Sequence, residues 1–93
     1  MDLEKISDDA QIFLDKYVVS GSDDELFASG YLRGHVDLIL GTALVNQQDL
    51  TMTELVEQIV ASIDTAIKSG ELEQNDVEVV NQVLNQLIAD LSV

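Results

Sequence analysis

Phe27, Tyr31 and His35 recur at every fourth residue, so on a helix a phenol and an imidazole share one strip with an aromatic ring beside them. That pairing suits proton transfer or the gripping of a small polar ligand. Arg33 lies two residues from His35, about 200° around the same helix, and cannot converge with it on one substrate without a further element. Ser29 and Asp37 are its neighbours four residues away, and an ion pair with Asp37 is its expected use. His35 borders two apolar stripes, where a half-buried imidazole bonded to nearby backbone or carboxylate serves structure without catalysis. Gly30, Gly34 and Gly41 fall within a sector of about 40°. Each costs a helix interior about 1 kcal/mol relative to Ala, and close approach of a neighbouring backbone or a ligand is the usual reason for such a cluster. Tight packing against the first helix, with Phe13 and Tyr17 filling the remaining space, is the expected structural use. Phe27, Gly30, Tyr31, Arg33, Gly34 and His35 are the candidate binding residues, and none is assigned a catalytic role.

Other chemistries lack their residues. The chain has no Cys and one His, which removes disulfide scaffolds, cysteine nucleophiles, cysteine zinc sites and histidine clusters. There is no glycine loop after a strand, no His pair at i, i+4, and no calcium loop with its closing Glu. Ser22-Asp23-Asp24-Glu25 is the densest acidic run. Its carboxylates oppose the positive end of a helix dipole, and adjacent side chains that diverge from a helix start do not assemble the six or more ligands of a divalent cation. Neither a metal nor a cofactor is expected.

Charge narrows the partners. Eighteen Asp/Glu stand against four Lys/Arg in 93 residues, a formal net charge of −14, while 46% of the residues are apolar. A chain so apolar folds despite its charge. Lys5, Lys16, Arg33 and Lys68 are scattered singly, so nucleic acid and anionic lipid are not expected partners. No apolar run approaches a membrane span, and Met1-Asp2-Leu3-Glu4 resembles no signal peptide. A cytoplasmic location is the resulting expectation.

The elements that must position these residues are helices. Breaks fall at Ser20-Gly21-Ser22, Asn46-Gln47-Gln48-Asp49 and Ser69-Gly70. Ser22 with Glu25, and Thr51 with Glu54, are spaced as capping boxes, and Leu50 with Leu55 as a hydrophobic staple. Gly70 is the expected positive-φ stop of the third helix. For the fourth, Glu73 with a Leu72–Val77 staple and Asn75 with Glu78 are alternative starts. Apolar residues then recur at spacings of three and four: Leu3, Ile6, Ala10, Phe13 and Tyr17; Phe27, Tyr31, Gly34, Leu38, Gly41 and Val45; Met52, Val56, Ile59, Ile63 and Ala66; Val77, Val80, Leu84, Leu87 and Leu91. Four such seams with short connections predict one all-α domain over 1–93, an up-and-down four-helix bundle with short loops and helices at about 2–19, 23–46, 52–69 and 75–92. Asn81, Gln82, Asn85 and Gln86 give the fourth helix an outer face almost free of charge.

The second helix carries more than a seam. A further stripe, Ala28, Leu32, Val36, Ile39 and Ala43, lies about 100° to 180° away from the first. A helix apolar over more than half its circumference is enclosed by its own fold or covered by another chain. Either the other three helices wrap it, or the second stripe enters an oligomer interface.

The stretch Ser22-Asp23-Asp24-Glu25-Leu26-Phe27-Ala28-Ser29-Gly30-Tyr31-Leu32-Arg33-Gly34-His35 resembles the signature of the YfcL family, small cytoplasmic proteins of gamma-proteobacteria. Gly70-Glu71-Leu72 and Asp76 resemble that family's connection between its third and fourth helices. The resemblance implies a bacterial cytoplasmic setting and an important second helix, and it implies no reaction, substrate or cofactor.

The residues favour a small acidic protein-interaction module, an adaptor or regulator with a protein partner or a homodimer through helix two, and not an enzyme. The excess apolar area of that helix, Leu26, Leu40 and Leu44 included, supports this reading, and the charge favours a basic partner surface. The alternative is a small-molecule binder using the glycine-rich face of helix two beside Phe27, Tyr31 and His35. An acidic mimic of nucleic acid ranks lower, because the carboxylates are spread over several faces.

Overall fold

The chain divides into α1 (Leu3–Ser20), α2 (Asp23–Val45), α3 (Met52–Lys68) and α4 (Gln74–Leu91), in a computed structural model that describes residues 2–92. Both predicted boxes form. The Glu25 amide donates to Ser22 Oγ at 3.2 Å while the Ser22 amide donates to Glu25 Oε1 at 3.0 Å, and Thr51 with Glu54 repeats the exchange at 3.1 Å both ways. At α1 the Asp2 carboxylate accepts the Lys5 amide at 3.1 Å. Helix α4 starts after Glu73 with no side-chain cap, so of the two alternative starts it is the Asn75 box that does not form.

The helix ends have separate causes. A Cβ on Gly21 would sit 2.6 Å from the Tyr17 carbonyl oxygen, which explains glycine where the chain leaves α1 for the two-residue connection to α2. Gly70 takes φ +81°, the left-handed conformation expected of it after α3. After α2 that conformation falls to Gln47 at φ 54°, and the Gln48 amide closes back on the Ala43 carbonyl at 2.9 Å.

The helices form a bundle around one contiguous apolar core. In α1, α3 and α4 the expected seams face inward: Leu3, Ile6, Ala10 and Phe13; Ile59, Ile63 and Ala66; Val80, Leu84, Leu87 and Leu91 are buried. Leu14, Leu55 and Val83 join them, while Tyr17, Met52, Val56 and Val77 sit half-buried at the margin. The uncharged face of α4 does point outward, with Asn81, Gln82, Asn85 and Gln86 exposed.

Helix α2 is turned the other way. The expected seam lies outside, with Phe27 46%, Leu38 70% and Val45 82% exposed. The second stripe lies inside: Ala28, Leu32, Val36 and Ala43 are buried together with Leu40, while Ile39 packs half-buried against them. Both stripes carry the helical period, so volume decides between them. A stripe of Leu32, Val36 and Leu40 fills a close-packed interior, whereas one interrupted by Gly34 and Gly41 would leave voids each lacking a side chain's worth of contacts. The second stripe is therefore enclosed by its own chain and is not available to an oligomer interface.

All three other helices pack on α2; α1 also meets α4, and α3 leans chiefly on α2. The central place of α2 follows from its buried face, which is broad enough to serve three neighbours.

Candidate functional site

The outer face of α2 is a strip in three lanes. Its floor is Gly30, Gly34 and Gly41, with Leu38 and Val45 continuing it toward the helix end. A Cβ built on any of the three glycines meets no atom within 4 Å, so the expected packing of this face against α1 does not occur. Phe13 and Tyr17 instead pack edge-on against each other at 5.7 Å. The glycines are unexplained by contacts within the chain, although each weakens the helix by about 1 kcal/mol relative to Ala.

One edge of the strip is aromatic. Phe27 stacks on Tyr31 with ring centroids 6.0 Å apart, and Tyr31 lies 4.9 Å from the His35 ring, as the four-residue spacing predicts. Each polar end is held by another element. The Tyr31 hydroxyl donates to Glu71 Oε1 at 3.1 Å in the connection after α3, and His35 Nδ1 shares a 2.6 Å hydrogen bond with Ser62 Oγ of α3. Burial first, and then the Glu71 hydrogen bond and charge, push the Tyr31 phenol above its usual range. Ser69 Oγ completes the corner, its one hydroxyl proton within reach of the Ala66 carbonyl at 2.9 Å and of Glu71 Oε2 at 3.3 Å.

The other edge is polar and reaches α1. Arg33 does not pair with Asp37, as its spacing suggests. Its guanidinium donates to Asp15 Oδ1 at 2.8 Å and to Gln11 Oε1, and the Gln11 amide passes a 2.5 Å hydrogen bond on to Asp37. Proximity to α1 explains the change: a guanidinium that stands at the α1–α2 boundary finds two acceptors across it, and its planar fork can use both at once.

The six sequence-predicted site residues thus separate. Tyr31 and His35 reach Glu71 and Ser62 on the α3 side with Phe27 stacked on Tyr31, Arg33 faces α1, and Gly30 and Gly34 lie open between them. Gln11, Asp15, Ser62 and Glu71 were missed, because each comes from another element and no local spacing connects it to α2.

His35 and Ser62 together resemble a base and a nucleophile, but Ser62 sits in mid-helix. The amides around it are spent on helical hydrogen bonds, which leaves none to stabilise an oxyanion. Among the described residues no three His, Cys, Asp or Glu side chains are grouped to hold a metal ion, and no buried side-chain polar atom lacks a hydrogen-bond partner. Beside His35 an open groove of about 560 Å³ runs between α2 and α3, lined by Ile39, Ala61, Ser62 and Glu71 among others. A smaller depression of about 370 Å³ lies at the far end of the glycine lane, at Leu38, Gly41, Thr42 and Val45.

The two stretches that carry the family resemblance meet in space, since Tyr31 lies in the first and Glu71 in the second. The family model described as YfcL protein matches residues 4–89. The chain belongs to the YfcL family. Among curated relatives, a protein of Escherichia coli (strain K12) named "Uncharacterized protein YfcL" is 37% identical over 79 residues, covering 85% of each chain. No solved structure matches. Membership of the YfcL family extends through all four helices, well beyond the fourteen-residue signature. Among the described residues no helix is long and apolar enough to cross a membrane.

Proposed function

We propose that this YfcL-family chain is a small acidic protein-interaction module, an adaptor or regulator acting in the cytoplasm, that presents the outer face of α2 to a protein partner. The observation that carries the reading is the open lane of Gly30, Gly34 and Gly41, flanked by exposed Phe27, Leu38 and Val45. Three helix-weakening glycines whose missing side chains would meet nothing within the fold, beside apolar side chains left largely exposed on the same face, suit close approach by another chain. The scattered bases and the charge of −14 weigh against nucleic acid as that partner.

A photo-crosslinking residue at Leu38, compared with one at Glu57 on the solvent side of α3, tests the reading in living bacteria. Discrete protein adducts at Leu38 that are absent at Glu57 are expected, and equal labelling at the two sites overturns the proposal. Adducts with a second copy of the chain correspond to the homodimeric form.

The groove beside His35 supports a second reading, a small-molecule binder, because its volume falls in the range of ligand sites and His35, Ser62 and Glu71 lend it polar groups. Its test is a ligand screen read by protein NMR, in which shifts confined to the amides of His35, Ser62 and Glu71 are expected. Hits that spread evenly over the bundle count against it.

A further inference from the structure

Resting on the interaction reading above, we infer that the occupant of the α2 strip is the apolar face of an amphipathic helix in a basic protein, with Lys or Arg flanking the apolar residues. A helix face has its backbone amides and carbonyls already bonded, so the strip cannot receive an added β-strand. From Phe27 to Val45 it runs about 27 Å at about 1.5 Å per residue, the length of a five-turn helix. The missing Cβ atoms at Gly30, Gly34 and Gly41 let a second helix axis come nearer than the usual 8–10 Å. Large apolar side chains of the incoming helix then sit over the glycines, with Leu38 and Val45 beside them.

Charge selects the partner. Asp23 shares the angular sector of the glycines at the start of α2, Asp15 and Asp37 line the α1 edge, and Glu71 stands on the aromatic edge. Arg33 is the cation placed among them, and it is joined to Asp15, while Asp37 and Glu71 accept from the neutral groups of Gln11 and Tyr31. A second copy would set −14 against −14 with acidic edges facing acidic edges, whereas lysines flanking a foreign helix meet carboxylates on both sides.

The probe is a peptide of about twenty residues with leucines at heptad spacing and lysines beside them, set against the same peptide with glutamates in place of the lysines. Binding to the full chain is read by NMR. The lysine peptide is expected to bind, to shift the amides of Gly30, Gly34, Leu38 and Gly41, and to weaken at high salt. Gly34→Leu, which fills open space and keeps the fold, is expected to lower its affinity at least about tenfold, with Leu38→Ser as a second variant and circular dichroism checking the helices. Equal binding of the two peptides, or shifts centred on another helix, overturns the inference. So does self-association that Gly34→Leu abolishes, which replaces the basic partner with a second copy while leaving α2 as the interaction surface. A strip that takes neither peptide also overturns it, and the crosslinking at Leu38 then reports separately on the surface itself.

Discussion

Tyr31 donates its hydroxyl to Glu71 across 3.1 Å although the two are 40 residues apart in the chain, and this bond ties the outer face of α2 to the connection that follows α3. It joins a phenol held above its usual ionisation range to the carboxylate partly responsible. The chain has two tyrosines and no tryptophan, so tyrosinate absorbance reports on them directly. Tyr17 is raised as well, by burial and then by the charge of Glu25. Both phenols are expected to ionise above the ordinary value of about 10. Glu71→Ala should move one of them partway back, since burial continues to act. The sign for stability follows: the folded state holds these protons more tightly, so their contribution is complete below the usual tyrosine range and disappears as pH rises through the raised values. Absorbance titration in which Glu71→Ala changes neither phenol would contradict the assignment.

The glycines separate into two kinds. Gly30→Ala and Gly34→Ala should each stabilise the isolated chain by about 1 kcal/mol in urea denaturation, because the added methyl meets nothing and the helix gains propensity. Gly21→Ala should destabilise it, because the methyl would collide with the Tyr17 carbonyl. A loss of stability at Gly30 or Gly34 would show that these positions pack within the chain after all.

Leucines distinguish the two faces of α2. Leu32, fully buried, should cost about 2–5 kcal/mol when replaced by Ala, whereas Leu38→Ala on the exposed face should change stability by less than about 0.5 kcal/mol. Thermal unfolding of the pair is sufficient, and the reverse order would restore the orientation that the periodicity suggests.

A double-mutant cycle decides the partner of Arg33. Coupling of about 0.5 kcal/mol to Asp15 is expected, modest because the carboxylate is largely exposed, and it should shrink with added salt. Coupling to Asp37 should be weaker, since that carboxylate takes its hydrogen bond from Gln11. Stronger coupling to Asp37 would reinstate the within-helix pair.

The parts of the fold that local rules govern were legible in advance. Ser22 with Glu25, Thr51 with Glu54 and Gly70 mark helix ends through interactions spanning three or four residues, and the helix bounds follow to within about a residue. The stripes of α1, α3 and α4 are equally plain because in each of those helices a single stripe runs the length of the helix, the exposed Ile12, Val18 and Val19 of α1 making only a short patch beside it. Helix α2 has two, and periodicity carries no information about which of them turns inward. Volume does, and it was available: Gly34 and Gly41 cannot fill a core, so their presence in one stripe was itself a sign that the stripe faces out. The aromatic row of Phe27, Tyr31 and His35 could be read from spacing alone. Its anchors Ser62 and Glu71, and the α1 acceptors of Arg33, depend on which helices become neighbours, and that is decided by the collapse of the whole chain.

Because α3 rests chiefly on α2 and gives the common core fewer buried side chains than any other helix, it is the segment expected to detach at the least cost. Its amide protons are expected to exchange ahead of those in α1 and α4, as a unit that breaks the His35–Ser62 bond and strains the Tyr31–Glu71 bond when it swings away. The bundle then has a door on one side of its central helix, latched by an imidazole and a phenol. The same aromatic row that borders the outer strip would feel any partner laid along it, so occupancy of the strip and the rate at which the door opens should be linked.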